Sequence, residues 1–89
     1  MRNFWTKNRG RYNSPGSMQA EQFDILIRIS GIHSEKVVSA LKDYYVSGVS
    51  RKEACEKNGV SQSYFSISKN KLVALNNSVA MISRYYLPV

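Results

Sequence analysis

Apolar residues recur along this chain at spacings of three and four, the period of a helix face and not the alternation of a half-buried strand. Phe23, Leu26, Ile27 and Ser30 fall on one face of a first helix expected over about residues 18–30, with Glu21 in its first turn, where the helix dipole favours an acid. Ile25, Ile29 and Ile32 add a second apolar face, more than one small core needs. That surplus fits either a subunit contact or a helix buried on two sides. Gly31 breaks the chain, and Ser34 is placed to cap a second helix, with Glu35 in its first turn. Val37, Val38, Leu41, Tyr44 and Tyr45 keep the 3.6-residue period, and Gly48 is expected to end the run. A short helix follows over about 51–58, and a fourth starts at Gln62. Beyond it Leu72, Leu75, Val79, Ile82 and Tyr86 form one continuous apolar stripe, read as mostly core with a share left for a dimer contact. Asn76, Asn77 and Ser78 are weak helix formers, so the chain either bends there into a fifth helix over about 77–86 or runs straight until Pro88 stops it.

The segment 50–72, SRKEACEKNGVSQSYFSISKNKL, is the most specific pattern. Ser50 and Glu53 have capping-box spacing, in which the serine hydroxyl accepts from the backbone N–H of Glu53 and the glutamate reaches back. Gly59 sits where this short helix must stop, Val60 turns inward, and Ser61 caps the next helix. Ala54 and Cys55 fall where the two helices cross, which requires small side chains; Val60 and Phe65 close the corner. Two helices joined through a short glycine-containing turn is the DNA-binding helix-turn-helix arrangement, in which the second helix is offered to a groove. A helical hairpin that merely packs is the alternative. The fold class that follows is all-α, four to five helices with a helix-turn-helix, of the Trp-repressor-like, tri-helical kind.

Charge favours the DNA-binding reading. Eighty-nine residues make one small domain, too small to house a deep active site. Thirteen Lys and Arg stand against six Asp and Glu, a net charge of +7. The excess lies at the two ends: residues 1–17 carry Arg2, Lys7, Arg9 and Arg11 with no acid, and residues 51–89 carry six bases with two acids. This is the electrostatic footprint of a nucleic-acid binder. Residues 1–17 read as a flexible basic arm, with Phe4, Trp5 and Tyr12 able to dock it or stack on a partner, and residues 18–89 as the helical domain. A single cysteine, Cys55, excludes an intrachain disulfide, and one histidine, His33, with one cysteine makes no usual zinc site. No paired carboxylates, nucleophile–base arrangement or phosphate-cradling glycine loop is visible, so neither an enzyme, a cofactor nor a small-molecule ligand is expected. No leader or membrane-spanning run is seen, and the expectation is a cytoplasmic, nucleoid-associated protein.

Pro15–Met18, Ile32–Val37, Ala40–Tyr44, Ser50–Lys57 and Ser63–Ser66 together resemble the PapB family of bacterial fimbrial and adhesin operon regulators, in the same order and with similar spacing over about 15–86. The pentad Arg51-Lys52-Glu53-Ala54-Cys55 is the most specific part. The resemblance implies an all-helical fold, binding to AT-rich double-stranded control DNA, and oligomers along that DNA. One departure is clear. Where the family usually has Leu-Gly-Arg-Leu, this chain has Lys69-Asn70-Lys71-Leu72, which trades an apolar contact for a charge at Lys69.

Expected phosphate contacts are Arg51, Lys52, Lys69 and Lys71; expected groove contacts are Gln62, Ser63, Ser66 and Tyr64, with Ser61 and Asn70 beside them. Ile25 and Ile29 are the candidates for self-association. The competing functions are a helical adaptor that binds another protein and a basic RNA-binding domain.

Overall fold

The computed structural model describes residues 14–86, and these contain four helices and no strand. They are α1 (Ala20–Ser30), α2 (Glu35–Tyr45), α3 (Arg51–Asn58) and α4 (Gln62–Ser83). The arm expected at residues 1–17 lies outside the described residues except for its last four.

Local signals set most of the boundaries. The hydroxyls of Ser34, Ser50 and Ser61 each accept from the backbone N–H three residues on, at 3.4, 3.2 and 3.1 Å. Gly31 and Gly59 end α1 and α3 in the left-handed region, at φ 78° and 67°. Two boundaries differ from expectation. Helix α1 starts two residues late because Met18 is used otherwise: it is 4% exposed in the core, and its N–H donates to Tyr45 O at 2.9 Å. The N–H of Gly16 donates to Tyr44 O at 2.8 Å. The chain before α1 thus satisfies carbonyls that the end of α2 would leave without partners. Helix α2 stops at Tyr45, before Gly48, because Val46 and Ser47 both donate to Lys42 O and close the last turn. Gly48, at φ 80°, then reverses the chain against Gly16; a Cβ on Gly16 would lie 3.5 Å from the Gly48 Cα.

Phe23 and Leu26 of α1, Val37, Ala40, Leu41, Tyr44 and Tyr45 of α2, Ala54 and Cys55 of α3, and Phe65 and Leu72 of α4 share one core with Met18 and Val60. Burying each large apolar side chain here contributes about 1.5–3 kcal/mol. The crossing of α3 over α2 and α4 is close because Ala54 and Cys55 are small and almost fully buried. Asn58, at the end of α3, ties it to α2, donating to Asp43 Oδ2 at 2.9 Å and to Ala54 O at 2.8 Å. Ser30, expected on the apolar face, instead locks the end of α1: its hydroxyl donates to Ile27 O and accepts from the N–H of Ile32.

Helix α4 corrects the expectation for the C-terminal stripe. It runs straight through Asn76 and Asn77 for 22 residues, so no fifth helix forms. At 1.5 Å per residue it is about 33 Å long, whereas α1 and α2 have 11 residues each and α3 has 8. Its partners cover only its first two thirds. Leu72 is fully buried and Leu75 half-buried, but Val79, Ile82 and Tyr86 are 37%, 52% and 79% exposed. The start of α1 meets α4 at Asn76 and Val79, where Gln19, Gln22, Ile25 and Leu26 complete the walls of a shallow groove. Ile25 and Ile29 themselves are 48% and 55% exposed, so among the described residues the second face of α1 is left open, and of that face only Ile32 packs partly on the core.

Candidate nucleic-acid interface

The turn Gly59-Val60-Ser61 sets the outward face of α4. Val60 is 9% exposed and Phe65 fully buried, and these two anchors fix the rotation of α4 about its axis. With Phe65, Ser68, Leu72 and Asn76 turned inward, the opposite side of the first turns must face solvent. Two rows of side chains lie there at spacings of three and four: Gln62, Ser66 and Lys69 in one, Ser63, Ile67 and Asn70 in the other. Gln62, Ser63 and Asn70 are exposed, Ser66 and Lys69 half-buried. Tyr64, 52% exposed, and Lys71 lie along the far edge. Ser61 sits at the tip with its hydroxyl engaged by the N–H of Tyr64, which makes it first of all a helix cap.

Arg51 and Lys52 are both exposed in the first turn of α3 behind the Ser50 cap, and Arg51 lies within electrostatic reach of Lys69 on α4. Arg51 is close enough to act on three groups from three helices. Its positive charge partly offsets the burial that pushes the Tyr44 hydroxyl and the Cys55 thiol up, so Cys55 stays a protonated, packed thiol. It also adds to the burial that pulls the Lys69 ammonium below the usual lysine range. The Lys69 Nζ lies 5.6 Å from the centroid of the Tyr44 ring, within cation–π reach. The Tyr44 ring is itself held edge-on by Tyr45 at 4.9 Å and by Phe65 at 5.6 Å.

The face is basic and free of acids along α4, because no Asp or Glu follows Glu56 in the sequence. Ion pairs among the described residues join Lys42 to Asp24 and Lys57 to Asp43, and neither involves the bases of this face. The arrangement offers amides and hydroxyls between cations, suited to a surface of acceptors and negative charge. Among the described residues no three His, Cys, Asp or Glu side chains gather as a metal site would require, and no helix is long and apolar enough to cross a membrane.

Two residues of this region escape a reading of the sequence. Ile67 is 66% exposed in the middle of the polar rows. Its signal was available: it is out of phase with the stripe through Phe65 and Leu72. The seat of Lys69 on Tyr44 had no such signal, since it joins residues 25 positions apart.

The model of the PapB family, described as adhesin biosynthesis transcription regulatory protein, matches residues 1–86. The chain belongs to the PapB family. It is 49% identical over 72 residues to the PapB regulatory protein of the major pilus subunit operon of Escherichia coli, covering 81% of this chain and 69% of that one. It is 41% identical over 73 residues to the F1845 adhesin operon regulatory protein of the same organism, covering 82% and 86%. The crystal structure of E. coli FocB superposes with a TM-score of 0.82 at 49% identity, over 94% of this chain and 96% of that one. The all-helical architecture is thus shared with a PapB-family member known from crystals, and the family's role is the regulation of adhesin biosynthesis, not catalysis.

Proposed function

We propose that this PapB-family chain regulates a fimbrial or adhesin operon by binding AT-rich control DNA as an oligomer, with the α3–α4 pair acting as a helix-turn-helix. The observation that supports this best is the acid-free outward face of α4, whose amides and hydroxyls are flanked by Lys69 on one edge and Lys71 on the other. A helix presented this way meets phosphates on both sides of the groove it occupies. Arg51 and Lys52, at the start of α3, add contacts to the backbone. Gln62, Ser63, Ser66 and Asn70 face base edges, with Tyr64 at the rim, and Gln62 has the donor and acceptor needed for a bidentate pair with adenine. Nucleoid association follows from such binding, and repeated copies supply the specificity that one small module lacks.

Fluorescence anisotropy with an AT-rich duplex, a GC-rich duplex and an RNA hairpin, each titrated over a range of salt, tests the reading. Tightest binding to the AT-rich duplex, with a steep fall as salt rises, is the expected result. Preference for RNA would favour the RNA-binding alternative. Absence of binding to all three would leave the protein-interaction alternative. A footprint over the region upstream of the chain's own operon would locate the sites.

A further inference from the structure

Resting on the DNA-binding reading, we infer that Ile67 reads the 5-methyl group of thymine and is a specificity-determining residue of the face that meets DNA. Ile67 is 66% exposed, whereas Phe65, two residues earlier and about 200° around the helix, is fully buried. Ile67 therefore points almost straight away from the core. Ser63, four residues before it, and Asn70, three residues after, share its row and are exposed. Lys69 and Lys71 flank it, and no Asp or Glu follows Glu56. The apolar side chain thus occupies the centre of the acid-free face, not its margin. It is also separate from the apolar surface at α1 and the end of α4. Val79, where that surface begins on α4, lies about 18 Å further along the axis and about 120° around it.

The chemistry of the groove selects the contact. Base edges in the major groove carry donors and acceptors, and their one apolar group is the thymine methyl. An isoleucine set there gains by covering that methyl. Against a G·C pair the same side chain strips water from the cytosine amino group or the guanine acceptors and offers them no partner. It therefore favours A·T twice, by attraction to one pair and by exclusion of the other. Being branched at Cβ, it has one strongly preferred rotamer in a helix and gives up little freedom on contact. Asn70, one turn on, has the donor and acceptor to take N6 and N7 of an adenine. One row of α4 thus offers a partner for each base of an A·T-rich sequence.

Duplexes that differ only in the methyl test the inference. One AT-rich duplex is made with thymine and again with uracil at every thymine position. Both are titrated with the parent chain and with Ile67→Ala, so that the four affinities form a cycle. The parent should bind the thymine duplex more tightly, by about fourfold for each methyl contacted. Ile67→Ala should bind the thymine duplex more weakly than the parent does and lose nothing further with uracil. Its slope of log K against log salt should equal the parent's, because no phosphate contact is removed.

Equal binding of the two duplexes by the parent overturns the inference while leaving the DNA-binding reading in place. So does a loss with uracil that is as large in Ile67→Ala as in the parent, since the methyl would then act through another side chain or through the stiffness of the DNA. Failure of the parent to bind any duplex would instead strike the DNA-binding reading itself. Ile67 is not part of the core, so Ile67→Ala should keep its helicity by circular dichroism. Should it lose helicity, Ile67→Gln, a good helix former with a polar end, takes its place. The same loss of the thymine preference is then expected, and a preference kept at the parent's size overturns the inference.

Discussion

Tyr45 is fully buried, and its phenolic oxygen has no hydrogen-bond partner among the described residues. Burial pushes the hydroxyl far up, so it is neutral at every working pH. An unpaired buried hydroxyl carries a desolvation penalty, and removing it while keeping the ring should relieve that penalty. Tyr45→Phe is therefore expected to raise stability by about 1 kcal/mol, read as an increased urea midpoint at constant m. A lower midpoint would show that the hydroxyl finds a partner in solution. Lys69 poses the opposite balance. Replacing it by Met gives up a cation–π contact of about 0.5–1 kcal/mol, but also removes a charge that burial and Arg51 both oppose. The two nearly offset, so Lys69→Met should shift stability by less than about 1 kcal/mol while weakening duplex binding. Gln62 is exposed, so Gln62→Ala should leave the fold intact and relax discrimination at one base position by about 1–3 kcal/mol. Equal losses for every base substitution in parent and variant would rule out direct readout by this side chain, leaving the shape of AT-rich DNA as the source of preference. At this scale the caps Ser34, Ser50 and Ser61 are legible in the sequence, because a cap and its N–H are three residues apart. Asn58 and the Lys69–Tyr44 seat are not, because their partners are set by how helices cross.

At the scale of elements, the stripe from Leu72 to Tyr86 shows why a correct period is not a correct burial. The period fixes which side of α4 is apolar, but the lengths of α1, α2 and α3 decide how far that side is covered. The Asn76-Asn77 pair shows the converse. Their low propensity suggests a break, yet both are nearly buried where the start of α1 reaches α4, and packing outweighs a propensity deficit of a few tenths of a kcal/mol per residue. The consequence is a gradient of stability along one helix. Leu72→Ala should cost about 2–5 kcal/mol. Val79→Ala, at a half-open position, should cost well under half of that. Native-state hydrogen exchange should find amides near Leu72 opening only with the whole domain and those near Ile82 opening locally. Equal protection along α4 would mean that the last turns are covered in solution, which only a second molecule or a segment outside the described residues could do.

For the whole molecule, charge and apolar surface are separated. Bases gather on α3 and the first half of α4, where Tyr64 and Ile67 are also exposed, while Ile25 and Ile29 on α1 and Val79, Met81 and Ile82 on the last turns of α4 form a second exposed apolar surface. Ile25 and Ile29 are exposed on α1, and Val79 faces Ile25 across the groove that the two helices form. This surface is distinct from the one that faces DNA in the proposed reading, so one molecule has a face free for a neighbour while it is bound. Self-association through α1 then predicts steep, cooperative filling of adjacent sites. Ile25→Lys and Ile29→Lys should keep their helicity by circular dichroism, because neither side chain is part of the core. They should reduce cooperativity more than single-site affinity, measured as the steepness of binding to duplexes carrying one and several sites. Sedimentation with and without DNA should show smaller assemblies for both variants than for the parent. A parent chain that stays monomeric and fills neighbouring sites independently would overturn the idea. Variants that lose helicity would instead show that these isoleucines are held by packing that the single chain does not display.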